Sequence, residues 1–232
     1  MLIVAIDGPA GSGKSTVAKI ISEKFNIPYL DTGAMYRGLA YSLSQKNIDV
    51  NDEEAVKKEI ENLEMTLKFI NGVQHVYVNG FDTTPYIRNH EISRMASDVS
   101  KHKFVRIKLV EIQRDFARNN SVVLDGRDIG TYVLPDAKYK FYLTASQEVR
   151  AKRRYKELVE KGSTITEKEV LNDINQRDYN DSHREFAPLK KADDAIEIDT
   201  SNLNIEEVIS RITKELSNWA YTVVQDFLVC HS

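Results

Sequence analysis

The chain of 232 residues has one cysteine, Cys230, beside its C-terminus. No disulfide can form within it, which fits a reducing compartment. No partner residues surround Cys230 in sequence, so it reads as a tail residue rather than a nucleophile. Long apolar runs are also missing. The opening run MLIVAI is too short for a signal h-region and lacks a basic leader. Nothing approaches the ~20 apolar residues that span a bilayer. A cytoplasmic protein with no membrane partner is expected. Neither charge sign dominates: 32 Lys and Arg stand against 35 Asp and Glu, net −3. This balance argues against a chain-wide polyanion binder, so no nucleic-acid partner is expected, although a locally basic cleft is allowed. Five histidines (His75, His90, His102, His183, His231) show no metal-ligand spacing. Each reads as a surface or capping residue.

What is present is an alternation of apolar runs and amphipathic stretches. Leu2 to Ile6 suits a parallel strand buried on both faces. Val17, Ile20, Ile21 and Phe25 then give Lys14 to Phe25 a helical spacing. Further buried strands are predicted at Pro28 to Leu30, Ser121 to Leu124, Tyr139 to Leu143 and Ala195 to Ile198. Helices are predicted at Gly33 to Gln45, Asp52 to Glu61 capped by Asn51, and Lys103 to Arg118. Others run from Gln147 to Lys161 with Gly162 as C-cap, from Thr166 or Glu167 toward Arg184, and from Ile205 to Tyr221. Between Leu63 and Phe69 the period drops to 2, and Asn71-Gly72 and Asn79-Gly80 bracket Val73 to Val78. Such turns need positive φ and mark an antiparallel meander. The expected fold class is α/β, a central parallel sheet flanked by helices. An inserted lobe, 48–98, divides a core of 1–47 and 99–232, with a helical lid at about 147–165. Trp219, Val223, Val224 and Phe227 are expected to cover the core.

Gly8-Pro9-Ala10-Gly11-Ser12-Gly13-Lys14-Ser15 matches G-x-x-x-x-G-K-[ST] between a strand and a helix. Glycines let successive N–H groups, through Thr16, turn inward around a phosphate. The helix points its positive end at the same place. Lys14 neutralises phosphate oxygens and Ser15 offers a hydroxyl to Mg²⁺, so ATP with Mg²⁺ is the expected donor. The dinucleotide fingerprint G-x-G-x-x-G fails, because Thr16 takes its last glycine position.

Three polar clusters follow at strand ends and helix faces. The first is Asp31-Thr32-Gly33-Ala34-Met35-Tyr36-Arg37, where a bland helix cap at Asp31 or Thr32 is the competing reading. The second is Asp125-Gly126-Arg127-Asp128. There Asp125 can orient Mg²⁺ or its waters, Arg127 can hold phosphate by two hydrogen bonds, and Asp128 can accept from an amino group. A tight turn with a local ion pair competes. The third is Arg150, Arg153 and Arg154, with Arg177, Asp181 and Arg184 on the next helix, at spacings that share a face. A solvated basic face is the competing reading. Phosphoryl transfer favours the functional one, because its transition state spreads charge that arginines can follow.

With GPAGSGKST, LDTGAMYR, the meander, IRNHEISRMASDVS, FVR, DGRDIGT, PDA and the RD…D..R..APL segment in view, the chain resembles the bacterial cytidylate kinases over nearly its whole length. The resemblance implies a nucleoside monophosphate kinase fold and transfer of phosphate from ATP to CMP or dCMP. It implies that Thr32 sits near the acceptor and that Arg37, Arg127 and Arg184 hold its phosphate. It places Ser97, Arg106 and Asp128 on cytosine, and Arg177 and Asp181 on the ribose side. Arg150, Arg153 and Arg154 are placed in the lid over ATP, and Asp199-Thr200-Ser201 near adenine. Lys14, Asp125, Arg127, Arg153 and Arg184 are the expected catalytic set. Thr32 stands where serine is common, and Asn180 where some relatives carry arginine.

An acceptor phosphate is already nucleophilic at pH 7, so no protein base is required. A monomer is expected. Two other readings compete: a kinase of another small molecule such as a different nucleotide or shikimate, and a non-catalytic nucleotide switch or nucleic-acid module.

Overall fold

A computed structural model describes the backbone of residues 1–160 and 162–229, with side chains through Ser217. Cys230, Lys161 and His231, and the side chains of Trp219, Val223, Val224 and Phe227, lie outside the described residues.

Five strands form one parallel sheet: β1 (Ile3–Asp7), β2 (Tyr29–Asp31), β6 (Val122–Gly126), β7 (Tyr139–Thr144) and β8 (Ile196–Asp199), in the order β2-β6-β1-β7-β8. The central strands are mostly apolar, up to their carboxyl ends, because helices cover both faces. On one face, α1 (Lys14–Phe25) and α8 (Ile205–Val229) bury Val17, Ile21, Val208 and Ile212 against Val4, Ile6 and Phe141. On the other, α2 (Thr32–Gln45) and α5 (Lys103–Asn119) bury Met35, Leu39, Val105 and Leu109 against Ala5, Leu30 and Leu124. The closing helix runs to Val229, past the expected Tyr221.

Between α2 and α5 lie α3 (Glu53–Glu61), a three-stranded antiparallel sheet of β3 (Met65–Ile70), β4 (Val73–Val78) and β5 (Phe81–Asp82), and α4 (His90–Val99). Both Asn-Gly turns form as expected, with φ of 51° and 76° at Asn71-Gly72 and 49° and 80° at Asn79-Gly80. Val76 and Val78 join the same apolar cluster as Met35 and Leu39, so this small sheet is built onto the core. Two features differ from expectation. Asp52, not Asn51, caps α3, its carboxylate accepting from Ala55 N–H at 3.0 Å. The N–H of Asn51 is already taken by the Asp49 carboxylate at 2.9 Å. Helix α4 was not anticipated; Asn89 caps it, and Ile92, Ala96 and Val99 form its buried stripe.

Helix α6 (Gln147–Glu160) ends in a turn with Gly162 at φ 82°, as its sequence requires. A capping box between Thr166 and Glu169 starts α7 (Glu167–His183). Among the described residues, no helix is long and apolar enough to cross a membrane.

Candidate active site

Strand register decides which polar residues meet. Asp31 of β2 lies beside Asp125 of β6, and Asp7 of β1 beside Gly126, so three neighbouring strands end in one polar row. Above it lies a cavity of about 980 Å³. That is the upper end of the range for small-molecule sites, as a two-substrate cleft needs. Ala10 to Thr16, Thr32, Arg37, Ser97, Arg106, Asp125, Arg127, Asp128, Arg153, Arg154, Arg177, Asp181 and Arg184 all line it. Of the expected site residues, Gly8, Pro9 and Arg150 do not.

The loop between β1 and α1 is fixed from behind. Gly8 has φ 145°, and a Cβ there would fall 2.0 Å from the Leu143 carbonyl oxygen. No side chain caps α1, whose N-cap is the left-handed Gly13, and no acidic residue sits in its first turn. Its N-terminal N–H groups are therefore free to meet an anion. Lys14 is buried and donates to the Pro9 carbonyl at 2.6 Å and to Ser12 Oγ at 3.3 Å. Burial, then the nearby Arg127 cation, pull the Lys14 ammonium well below its ordinary range. A bound polyanion would restore it.

Arg150 departs from its expected place over ATP. It is buried, donates to the Ala145 and Ala10 carbonyls at 2.9 and 3.0 Å, and pairs with Asp178 at 2.7 Å. It buttresses the loop, and the shared helix face implied by i, i+3, i+4 spacing divides between interior and cleft. Arg153 does reach the cavity, donating to Thr200 Oγ1 and to the Thr200 carbonyl at 2.9 and 2.6 Å. Thr200 Oγ1 in turn donates to the Ser12 carbonyl at 3.2 Å. Arg154 pairs with Glu157, one turn along its own helix. Of Asp199-Thr200-Ser201, only Thr200 lines the cavity, beside Leu203, Ile205 and Val208. Asn180 bonds Gln176 on an exposed face.

Ser15 Oγ donates to Asp125 Oδ2 at 2.8 Å, and Tyr29 donates to Asp125 Oδ1 at 2.8 Å. Burial, and then the Asp31 charge, raise the Asp125 carboxyl. Asp31 is buried too, but Arg37 and Arg88 outweigh the burial and hold it below the usual carboxylate range. Its Oδ2 accepts from Arg37 at 2.7 Å, while Oδ1 caps α2 at Ala34. The cap weighed from sequence is therefore present, at Asp31, and Arg37 is paired with the same carboxylate. Thr32 donates to the Asp125 carbonyl at 2.7 Å.

Asp128 pairs with Arg106 at 2.5 Å and lies 3.6 Å from Arg184. Arg106 stacks 5.4 Å from the Tyr36 ring. Arg127 Nε donates to Asp181 at 2.8 Å. Burial would raise Asp181, but Arg127, Arg184 and Arg177 together hold it low. Burial and Arg127 push Arg177 down to about 10, and among the described residues neither its Nε nor Ser97 Oγ has a hydrogen-bond partner.

Sequence reasoning missed Asp7. Its two oxygens accept from Ile129 and Gly130 N–H at 2.8 and 2.7 Å, anchoring the π-helical turn Ile129–Val133 that follows Asp128. The available signal was a carboxylate closing an apolar buried strand just before the glycine loop. Among the described residues, no cluster of three or more His, Cys, Asp or Glu could hold a metal alone. Mg²⁺ commonly takes one or two protein oxygens and the rest from phosphates and water, and the Ser15 hydroxyl beside Asp125 fits that use.

A nucleotide-cradling glycine loop beneath the carboxyl ends of a parallel sheet, ringed by arginines, defines a P-loop phosphotransferase scaffold. A solved structure of an uncharacterized protein from Eubacterium ventriosum shares this fold at 17% identity and TM-score 0.51, covering 94% of this chain and 99% of that one. The cytidylate kinase family model matches residues 4–218, and the chain belongs to that family. Relatives named cytidylate kinase include one from Thermosipho melanesiensis, 54% identical over 91% of this chain and 94% of that protein. One from Clostridioides difficile is 50% identical over 93% and 98%, and one from Bacillus subtilis 48% over 91% and 94%.

Proposed function

We propose that this chain transfers the γ-phosphoryl group of ATP to CMP or dCMP, giving ADP and CDP or dCDP. The observation that carries the reading is one cavity lined by both the phosphate loop and the buried Asp128–Arg106 pair, in a member of the cytidylate kinase family.

The backbone of the loop from Gly8 to Thr16 and the Lys14 ammonium take the β- and γ-phosphates. Ser15, with Asp125 behind it, would hold Mg²⁺. When bound, that ion neutralises phosphate charge. Thr32 sits near the acceptor, and Arg37, Arg127 and Arg184 draw in its phosphate. Ser97, Arg106 and Asp128 read the cytosine, whose amino group donates to a carboxylate where uracil offers only a carbonyl. Arg177 and Asp181 hold the ribose side. An acceptor phosphate oxygen attacks the γ-phosphorus, and the bond to the β–γ bridging oxygen breaks, leaving ADP. Arg153 and Arg154 come down from the lid, 147–165, while Arg150 stiffens the loop. The lobe, 48–98, closes from the other side. Closure matters because water admitted at the γ-phosphate would be phosphorylated instead. The chain works as a cytoplasmic monomer with no polynucleotide partner, a reading that the lone cysteine and balanced charge support.

The test is ADP release from ATP with CMP, dCMP, UMP, AMP and shikimate as acceptors. CMP or dCMP should give the highest kcat/KM. Greatest turnover on UMP, AMP or shikimate would reject the reading.

A further inference from the structure

Strand β2 is the outer strand of the parallel sheet, so its far edge has no neighbouring strand. The backbone groups of Asp31 on that edge are nonetheless paired. Gln74, from β4 of the lobe, accepts from Asp31 N–H through Oε1 at 2.7 Å and donates from Nε2 to the Asp31 carbonyl at 3.2 Å. One side-chain amide thus reproduces the pairing a sixth strand would make. Both contacts require the same amide orientation, one oxygen facing a donor and one nitrogen facing an acceptor.

The residue so held is the one on which this end of the cavity is organised. Asp31 carries Arg37 on Oδ2 at 2.7 Å and starts α2 through Oδ1. Thr32, next in the chain, is tied to the opposite strand through the Asp125 carbonyl. Asp31 and Thr32 are therefore clamped between the sheet and the lobe, and Gln74 is the lobe's half of the clamp.

We infer that Gln74 is a positioning residue for the acceptor phosphate, fixing the Asp31 backbone and through it the Arg37 guanidinium. It also carries the lobe's position to that guanidinium, because β4 cannot shift without taking the Gln74 amide along. The inference rests on the proposed reaction and adds a residue to it. The amide itself touches no substrate.

The test uses Gln74→Met, which keeps an unbranched side chain of similar size but removes both polar atoms, and Gln74→Asn, which keeps the amide but cannot reach. Each is made in the wild-type chain and in Arg37→Ala. In the wild-type background KM for CMP should rise about tenfold, the loss expected when a buried backbone group is left unpaired, with KM for ATP within about twofold. In the Arg37→Ala background neither substitution should raise KM for CMP further, since the route through Arg37 is already gone. An equal rise in both backgrounds, a matching rise in KM for ATP, or an unchanged KM for CMP would overturn the inference. Should Gln74→Met fail to fold, Gln74→Asn carries the comparison. No CMP turnover by the wild-type chain would overturn the proposed reaction first. Normal CMP turnover with no effect of Gln74 would overturn the inference alone.

Discussion

Asp128→Asn separates recognition from scaffolding in the cavity wall. The substitution keeps size and one acceptor oxygen but removes the charge. The Asp128 and Arg106 side chains are only 5% and 3% exposed, so their 2.5 Å contact is screened by almost no water. Removing the charge leaves the buried Arg106 cation without its counter-ion, which costs about 3–5 kcal/mol. For a chain of this size that lowers the thermal midpoint by roughly 6–20 °C. The effect on base choice is separate. An asparagine amide can donate to the uracil carbonyl as readily as it accepts from the cytosine amino group. The preference for CMP over UMP should then fall by about 10–100-fold, the worth of one mismatched buried polar contact. The assay is steady-state ADP release with each nucleotide at saturating ATP, alongside thermal unfolding with and without ATP. A midpoint that falls as expected while the CMP to UMP ratio stays at the wild-type value would refute the reasoning. Asp128 would then be only a counter-ion for Arg106.

Lys14→Met should lower kcat by about 10²–10³, as expected for a lost donor aimed at developing charge. It should also raise the melting temperature of the nucleotide-free protein, because burial already disfavours the ammonium there; a fall on thermal unfolding would count against that account. Asp7 gives a pH dependence of defined sign. Burial outweighs its two backbone donors and pushes its carboxyl up to about 7 from an ordinary 3.8. Between those values the folded chain keeps a proton that the unfolded chain releases, so Asp7's contribution to stability is full at low pH and is lost as pH rises toward 7. The loss is at most on the order of 4 kcal/mol. Melting curves from pH 4 to 8 should show this decline in the wild type and a shallower one in Asp7→Asn; parallel curves would contradict it.

The parts of the fold that sequence made legible are those set by local rules. The apolar run into β1, the glycine loop, and the two Asn-Gly turns each demand their conformation from neighbours a few residues away. What escaped depends on distant partners. The π-helical turn after Asp128 is held by Asp7, over 120 residues earlier. Asn51 and Asp52 are equally good caps until the Asp49 carboxylate takes one N–H and leaves Asp52 to α3. Helix α4 hides its stripe of Ile92, Ala96 and Val99 among polar residues, which is the composition a cavity wall needs. Arg150 lies on a helix with Arg153 and Arg154, yet only the packing of that helix against the loop decides that Arg150 points inward. Gln74 left no signal, because a glutamine in a half-buried strand looks like any other.

Three arginines of the cavity are already matched: Arg37 with Asp31, Arg106 with Asp128, Arg127 with Asp181. At these three the protein supplies its own anions, and a ligand that takes one of them must displace a carboxylate. A singly charged ion such as chloride gains nothing by the exchange, since it trades one unit charge for another and loses its hydration. A phosphate carrying close to two charges and three oxygens can outbid the resident carboxylate. At these three positions the internal pairs therefore favour a dianion over a singly charged salt ion.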